Sequence, residues 1–258
     1  MTRPFALVTG ASSGIGAEFA RQLAPDHDLV VVARDEERLR SAAATLRDRW
    51  GSSVEVLVAD LSSGPGMASV EARVSSAERP IDLLINNAGI ASYGRLDRLP
   101  VADEDRMVQL NVTAVLRLTR AALPGMVARR RGAVLNVASL GAFQPGPQCA
   151  TYVATKAFVL SLTESIAAEL RGTGVHAMVL CPGFTRTEFP QRSGMTATSL
   201  PDALWMTPEA VVGAALADLA RKKVVCVPGA GNKVMASATR LLPRGAVRRL
   251  AGAVTDRL

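Results

Sequence analysis

The chain is 258 residues long, 48% hydrophobic and 21% charged, which supplies a core and excludes intrinsic disorder. Its three cysteines (Cys149, Cys181, Cys226) form no C-x-x-C, and neither His27 nor His176 has a Cys or carboxylate at ligand spacing, so neither a disulfide framework nor a metal site is expected. The net charge of +7 gathers at the C-terminal end, where residues 231–258 carry six Lys/Arg against one acid, Asp256; with no nucleic-acid-binding signature beside it, no nucleic-acid partner is expected.

The N-terminus "MTRPFALVTG" enters an apolar run by residue 5 without a long apolar leader, and nowhere do about 18 apolar residues run together. A soluble, reducing, cytoplasmic setting is the expectation. In chain order the apolar runs are "FALVT" (5–9), "LVVVA" (29–33), "VEVLVA" (54–59), "IDLLIN" (81–86), "AVLNVA" (133–138), "VHAMVLC" (175–181) and "VVCVP" (224–228). They are apolar throughout rather than alternating, the pattern of parallel strands covered on both faces. Between them Glu36–Trp50, Asp103–Arg130, Ala154–Arg171 and Pro208–Arg221 have helical periodicity. The last opens with "TPEA", a Thr cap followed by Pro at the first helical position. This alternation predicts one α/β domain over residues 1–258, a doubly wound parallel sheet of about seven strands, Rossmann-like. Such sheets bind ligands at the carboxyl ends of their strands.

The first run passes directly into "TGASSGIG" (9–16), where Gly10, Gly14 and Gly16 make a tight turn and open a helix whose N-terminus favours anions. The spacing T-G-x-x-x-G-x-G departs from the usual G-x-G-x-x-G fingerprint and resembles the short-chain dehydrogenase/reductase family. Further segments follow in that family's order: Asp60 after the third run, "NNAG" (86–89) after the fourth, Asn111 in the next helix, Ser139 after the fifth, Tyr152 and Lys156 as Y-x-x-x-K, and "PGFTRT" (182–187) after the sixth. The resemblance covers residues 5 to about 230. It implies a dinucleotide held by Gly10, Ser12, Ser13, Gly14, Ile15 and Gly16, with Asp60 and Leu61 at the adenine. Asn87, Ala88 and Gly89 would line the cofactor, and Pro182, Gly183, Thr185 and Thr187 the nicotinamide. In such folds an acid at the end of the second strand binds the ribose of NAD, and an arginine there accommodates the 2′-phosphate of NADP. Here Ala33 takes the acid's place and Arg34 follows, with Ser13 in reach, so NADP is expected; Asp35 comes next and keeps NAD as the alternative.

The chain has two tyrosines and four lysines, and one of each stands four residues apart at Tyr152 and Lys156, a spacing that puts both on one helix face. A phenol with a pKa near 10 is only about one part in a thousand ionised at pH 7, and making it a base takes about 4 kcal/mol. A lysine ammonium a few Å away supplies an energy of that order. The resemblance implies that Lys156 also holds the nicotinamide ribose, that Ser139 bonds the substrate oxygen, and that Asn111 holds a water passing protons through Lys156. The expected reaction is hydride transfer between nicotinamide and a carbonyl or alcohol, with Tyr152 as general acid/base. A redox-sensing regulator that binds the dinucleotide without turnover is the alternative. Extended sugar-nucleotide epimerases share Y-x-x-x-K but resemble T-G-x-x-G-x-x-G and carry a further substrate domain.

Residues 184–206 are expected to form a substrate lid, joined by 140–150 and 91–99. They offer Phe143, Phe184, Phe189, Met195, Trp205 and Met206, a set suited to a hydrophobic substrate. The resemblance implies a homodimer or homotetramer built through Asp103–Arg130 and Ala154–Arg171, where Ala157, Ser161, Ala167 and Ala168 permit close approach. Residues 232–258 read as a basic helical tail with Val247, Leu250, Ala251, Val254 and Leu258 at spacings of three and four. Without Trp or Phe on that face, packing against protein is expected rather than binding to a membrane surface.

Overall fold

The seven apolar runs become the seven strands of one parallel sheet in the computed structural model, which describes residues 3–195, 201–243, 245 and 247–249. They are β1 (Phe5–Thr9), β2 (Asp28–Ala33), β3 (Val54–Val58), β4 (Ile81–Asn86), β5 (Gly132–Val137), β6 (Val175–Leu180) and β7 (Val225–Cys226), in the order β3-β2-β1-β4-β5-β6-β7. Successive side chains of a strand point to opposite faces. Ala6 and Val8 accordingly enter one core with α1 (Gly14–Leu23), α2 (Glu36–Trp50) and α8 (Pro208–Ala220), while Leu7 enters a second with α3 (Gly64–Ser75), α5 (Ala114–Ala128) and α6 (Ala150–Glu169). Both faces are covered, which is why the runs carry no polar alternation.

The boundaries differ from the sequence pattern in physically readable ways. The stretch expected as one helix over 103–130 is α4 (Val101–Val108) running through a π turn (Gln109–Thr113) into α5. The helix expected from Ala154 begins at Ala150, because Cys149 in a non-helical conformation serves as its N-cap without any side-chain cap bond. Thr207 does cap α8, its hydroxyl accepting from Ala210 N at 3.3 Å. The last run keeps only Val225 and Cys226 in the sheet, an edge strand paired with β6 alone. His176 lies in β6 and bonds Lys223 O at 3.0 Å, a structural position.

Beyond the sheet lie α7 (Phe189–Arg192) and α9 (Ala230–Leu241). Of the predicted tail stripe, Val247 is buried, and Leu250, Ala251, Val254 and Leu258 fall outside the described residues. Among the described residues, no helix is long and apolar enough to cross a membrane, and no cluster of His, Cys, Asp or Glu could hold a metal ion.

Candidate active site

Strand order reverses between β1 and β4, and the chain ties the carboxyl ends of these strands together. Thr9 Oγ1 accepts from Asn87 N (2.9 Å) and Ala88 N (3.0 Å), and Asn87 Nδ2 donates to Thr9 O (2.9 Å). Gly10 (φ +67°) and Gly14 (φ +55°) are left-handed, so L side chains there would be strained. A Cβ on Gly16 would lie 2.2 Å from Gly10 O and 2.4 Å from Asn87 Nδ2. The turn thus folds flat against the Asn87 loop, and Ser13 makes no side-chain cap bond to the first turn of α1. The first-turn amides are left for an anion, the cradle a dinucleotide pyrophosphate fits. A Cβ on Gly14 would meet Thr187 Cγ2 at 3.1 Å, which brings the segment after β6 over the same turn.

At the far end of the crevice, Asp35 is used locally. Its carboxylate caps α2, accepting from Arg38 N at 3.1 Å, and pairs with the Arg38 side chain at 3.4 Å. Arg34 instead projects outward with its side chain 53% exposed, 4.0 Å from Asp60. Asp60 is fixed by Ser62 N (2.9 Å) and Ser62 Oγ (2.6 Å), and a Cβ on Gly66 would lie 2.2 Å from Asp60 O. Gly66 was outside the residues picked from sequence, and Thr9 was seen there only as the opening residue of the glycine-rich motif.

The catalytic candidates converge at the carboxyl end of β5. Ser139 opens the short turn Leu140–Phe143, its hydroxyl accepting from Gly141 N (3.1 Å) and bonding the Tyr152 phenol. Tyr152 lies in the first turn of α6. One turn on, Lys156 is 4% exposed; its Nζ donates to Val137 O at 2.8 Å and lies 5.8 Å from the Tyr152 ring centroid. Asn111 is wholly buried in the π turn, a helix irregularity frequent at functional sites. Its amide exchanges hydrogen bonds with Ile90 (3.0 and 2.8 Å) and donates to Thr155 Oγ1 (3.1 Å). A Cβ on Gly89 would stand 3.1 Å from Asn111 Oδ1 and 3.4 Å from Lys156 Nζ, so the strand-4 loop, the π turn and α6 meet at one point.

The electrostatics correct one expectation. Lys156 was expected to lower the Tyr152 pKa; instead burial pushes the phenol up to about 12, against the opposing Ser139 hydrogen bond. Burial also brings the Lys156 ammonium down to about 8. Both groups lose hydration, and the lysine faces a carbonyl rather than the phenol oxygen. Tyr152 therefore keeps its proton at neutral pH, the form a proton donor needs.

Behind these residues a buried chain of amides and hydroxyls joins β4, β5, α5 and α6. Asn86 Nδ2 donates to Thr119 Oγ1 (3.1 Å) and Asn136 Oδ1 (2.8 Å), and Asn136 Nδ2 donates to Thr163 Oγ1 (2.9 Å). The signal for it was an asparagine inside each of two otherwise apolar strands. In the expected lid, Phe189 lies 5.8 Å from the Tyr152 ring at a tilt of 48°, and Phe184 lies 5.5 Å from Trp205. Phe143 and Met206 instead pack against the core clusters. Residues 196–200 fall outside the described residues. A cavity of about 510 Å³ lined by Arg3, His27, Asp82 and Arg131, among others, lies at the opposite, amino end of the strands.

The sequence matches the family model described as short chain dehydrogenase over residues 4–197. It is 32% identical over 222 residues to a very-long-chain 3-oxoacyl-CoA reductase of Phaeosphaeria nodorum, covering 84% of this chain and 63% of that protein. The chain spans 60% of the length of another curated relative it matches. Among solved structures, the fold superimposes on a short-chain dehydrogenase from Sphingobium yanoikuyae in complex with NADPH, with a TM-score of 0.84, 38% identity, and 98% and 94% of the two chains covered. It likewise matches a bulky-bulky ketone specific alcohol dehydrogenase from Comamonas testosteroni, with a TM-score of 0.81, 34% identity and 93% of each chain covered.

Proposed function

The chain belongs to the short-chain dehydrogenase/reductase family, and we propose that it is an NADP-dependent oxidoreductase reducing the carbonyl group of a hydrophobic substrate to an alcohol. The observation that carries this reading is the convergence of Ser139, Tyr152 and Lys156 beside the glycine-rich cradle. When bound, the dinucleotide supplies a hydride for the carbonyl carbon. Ser139 orients the carbonyl oxygen by a hydrogen bond, and Tyr152 delivers its proton to that oxygen as charge develops there. Lys156 holds the nicotinamide ribose, and a water held at Asn111 returns a proton from solvent through Lys156. Nothing in the site or the comparisons favours a regulator that binds the dinucleotide without turnover.

NADP is preferred over NAD because Asp35 is committed to capping α2 while Arg34, its side chain 53% exposed and only loosely paired with Asp60 at 4.0 Å, can turn to a 2′-phosphate. The NADPH in the Sphingobium neighbour supports the same choice. Residues 184–206 act as the substrate lid, with Phe189 over Tyr152 and the Phe184–Trp205 pair as its apolar lining. The ketone and 3-oxoacyl substrates named for two relatives agree with a hydrophobic carbonyl compound. The assembly is a homodimer or homotetramer.

The test is dinucleotide consumption with a panel of ketones and aldehydes, using NADPH and NADH in parallel. Carbonyl-dependent oxidation with kcat/KM at least about tenfold higher for NADPH is expected, the worth of one charge-assisted contact. Dinucleotide binding without turnover on any carbonyl would overturn the enzymatic reading, and a preference for NADH would overturn the cofactor assignment.

A further inference from the structure

Of the two tyrosines in the chain, Tyr93 stands outside the machinery above. It lies in the loop between β4 and α4, and its hydroxyl is buried with no hydrogen-bond partner. Leaving a buried hydroxyl unpaired costs about 1–3 kcal/mol, so the folded protein holds a donor that a ligand can satisfy.

The loop is pinned on both sides of this residue. Ser92 Oγ donates to Glu104 Oε1 at 2.6 Å, and Glu104 is itself buried on α4. Gly94 N donates to Gln148 O at 2.7 Å. Gln148 is left-handed (φ +61°), a conformation uncommon for a residue with a side chain. A buried carboxylate and a strained backbone are thus both used to fix a short loop whose central side chain has nothing to bond. The second anchor leads directly into Cys149 and the first turn of α6, which carries Tyr152. The Cys149 thiol interacts electrostatically with both phenols, so Tyr93 and Tyr152 share its neighbourhood. Burial raises the Tyr93 pKa, so this phenol is a hydrogen-bond donor at neutral pH.

We infer that Tyr93 is a specificity-determining residue whose hydroxyl donates a hydrogen bond to a second oxygen acceptor on the substrate, selecting ketones that carry one, of which a 3-oxo ester is a simple case. This rests on the carbonyl-reductase reading above. The reacting carbonyl belongs to Ser139 and Tyr152; the second oxygen belongs to Tyr93. A substrate lacking that oxygen leaves the phenol unpaired, and the site discriminates against it for that reason.

The test compares ethyl 3-oxohexanoate with 4-nonanone, which share chain length and ketone position and differ in the ester group, on the wild type and Tyr93→Phe. The expected result is a fall of about 10- to 100-fold in the ester-to-ketone ratio of kcat/KM in the variant, the size of one buried hydrogen bond. Ketone turnover and NADPH affinity are expected to be unchanged. An equal fall for both compounds, or none for either, would overturn the inference and leave Tyr93 bonded to water or to nothing. The same ratio is read by calorimetry as binding of the two compounds to the NADP+-loaded protein. Absence of turnover in the wild type therefore counts against the reductase reading, whereas an unaltered binding ratio in Tyr93→Phe counts against this one.

Discussion

Lys156 is a charged group that the fold has taken out of water, and its titration is where the chemistry of the site is most exposed to measurement. Its pKa of about 8 in the folded chain stands against 10.5 for the unfolded side chain. The folded state resists the charged form, so its cost is full below pH 8 and disappears as pH rises toward 10.5. Between those values the unfolded chain binds more protons, and this residue's contribution to stability rises with pH, by about 3 kcal/mol in all. Tyr152, raised from 10.0 to about 12, acts in the opposite direction: above pH 10 the unfolded chain loses its phenolic proton first and stability falls. Chemical denaturation of the wild type and Lys156→Met between pH 8 and 10 isolates the lysine. The wild-type-minus-variant difference should climb with pH, and a flat difference would mean that Lys156 is hydrated. In the same range kcat/KM for NADPH should decline above about pH 8, as the ammonium in the free enzyme loses its proton.

The glycine-rich turn is the element on which cofactor binding depends most. A methyl group at Gly16 has no room, being 2.2 Å from Gly10 O, a backbone atom that moves only if the end of β1 moves. Gly16→Ala is expected to destabilise the protein by about 3 kcal/mol through overpacking and to weaken NADPH binding more than tenfold. An unchanged melting temperature and an unchanged Kd would show that the turn is looser than this packing implies. This turn was legible in the sequence because its glycines are required by geometry, as were the strands, because burial on two faces leaves an unmistakable apolar run. The π turn at Gln109–Thr113 was not legible, since nothing in "QLNVT" distinguishes it from ordinary helix. The early start of α6 was hidden as well, for Cys149 carries no capping signature. Tyr152 and Lys156 could be paired from spacing alone, but the direction of the tyrosine shift depended on the hydration each loses in the fold, which spacing does not encode. The Asn86–Asn136 network was visible as two misplaced polar residues, yet only strand register sets them side by side.

At the scale of the whole molecule, α4, α5 and α6 each leave a large apolar side chain in solvent, Val108, Leu116 and Phe158 respectively, and α6 also exposes the small residues Ser161 and Ala168. Exposed apolar groups of this kind suit burial between identical copies, which most often associate about a two-fold axis. Light scattering at micromolar concentration should give the mass of a dimer or tetramer, and Phe158→Glu should shift it toward the monomer; a monomeric wild type would contradict the assembly. The account as a whole rests on one event, transfer of a hydride to a carbonyl carbon with Tyr152 providing the proton. Turnover of a hydrophobic ketone with NADPH deuterated at the transferring position of its nicotinamide follows that event directly. The prediction is one deuterium on the carbinol carbon of the product, with turnover in Tyr152→Phe reduced at least about a hundredfold, as for loss of a general acid. Unlabelled product, or equal rates in the two proteins, would contradict it.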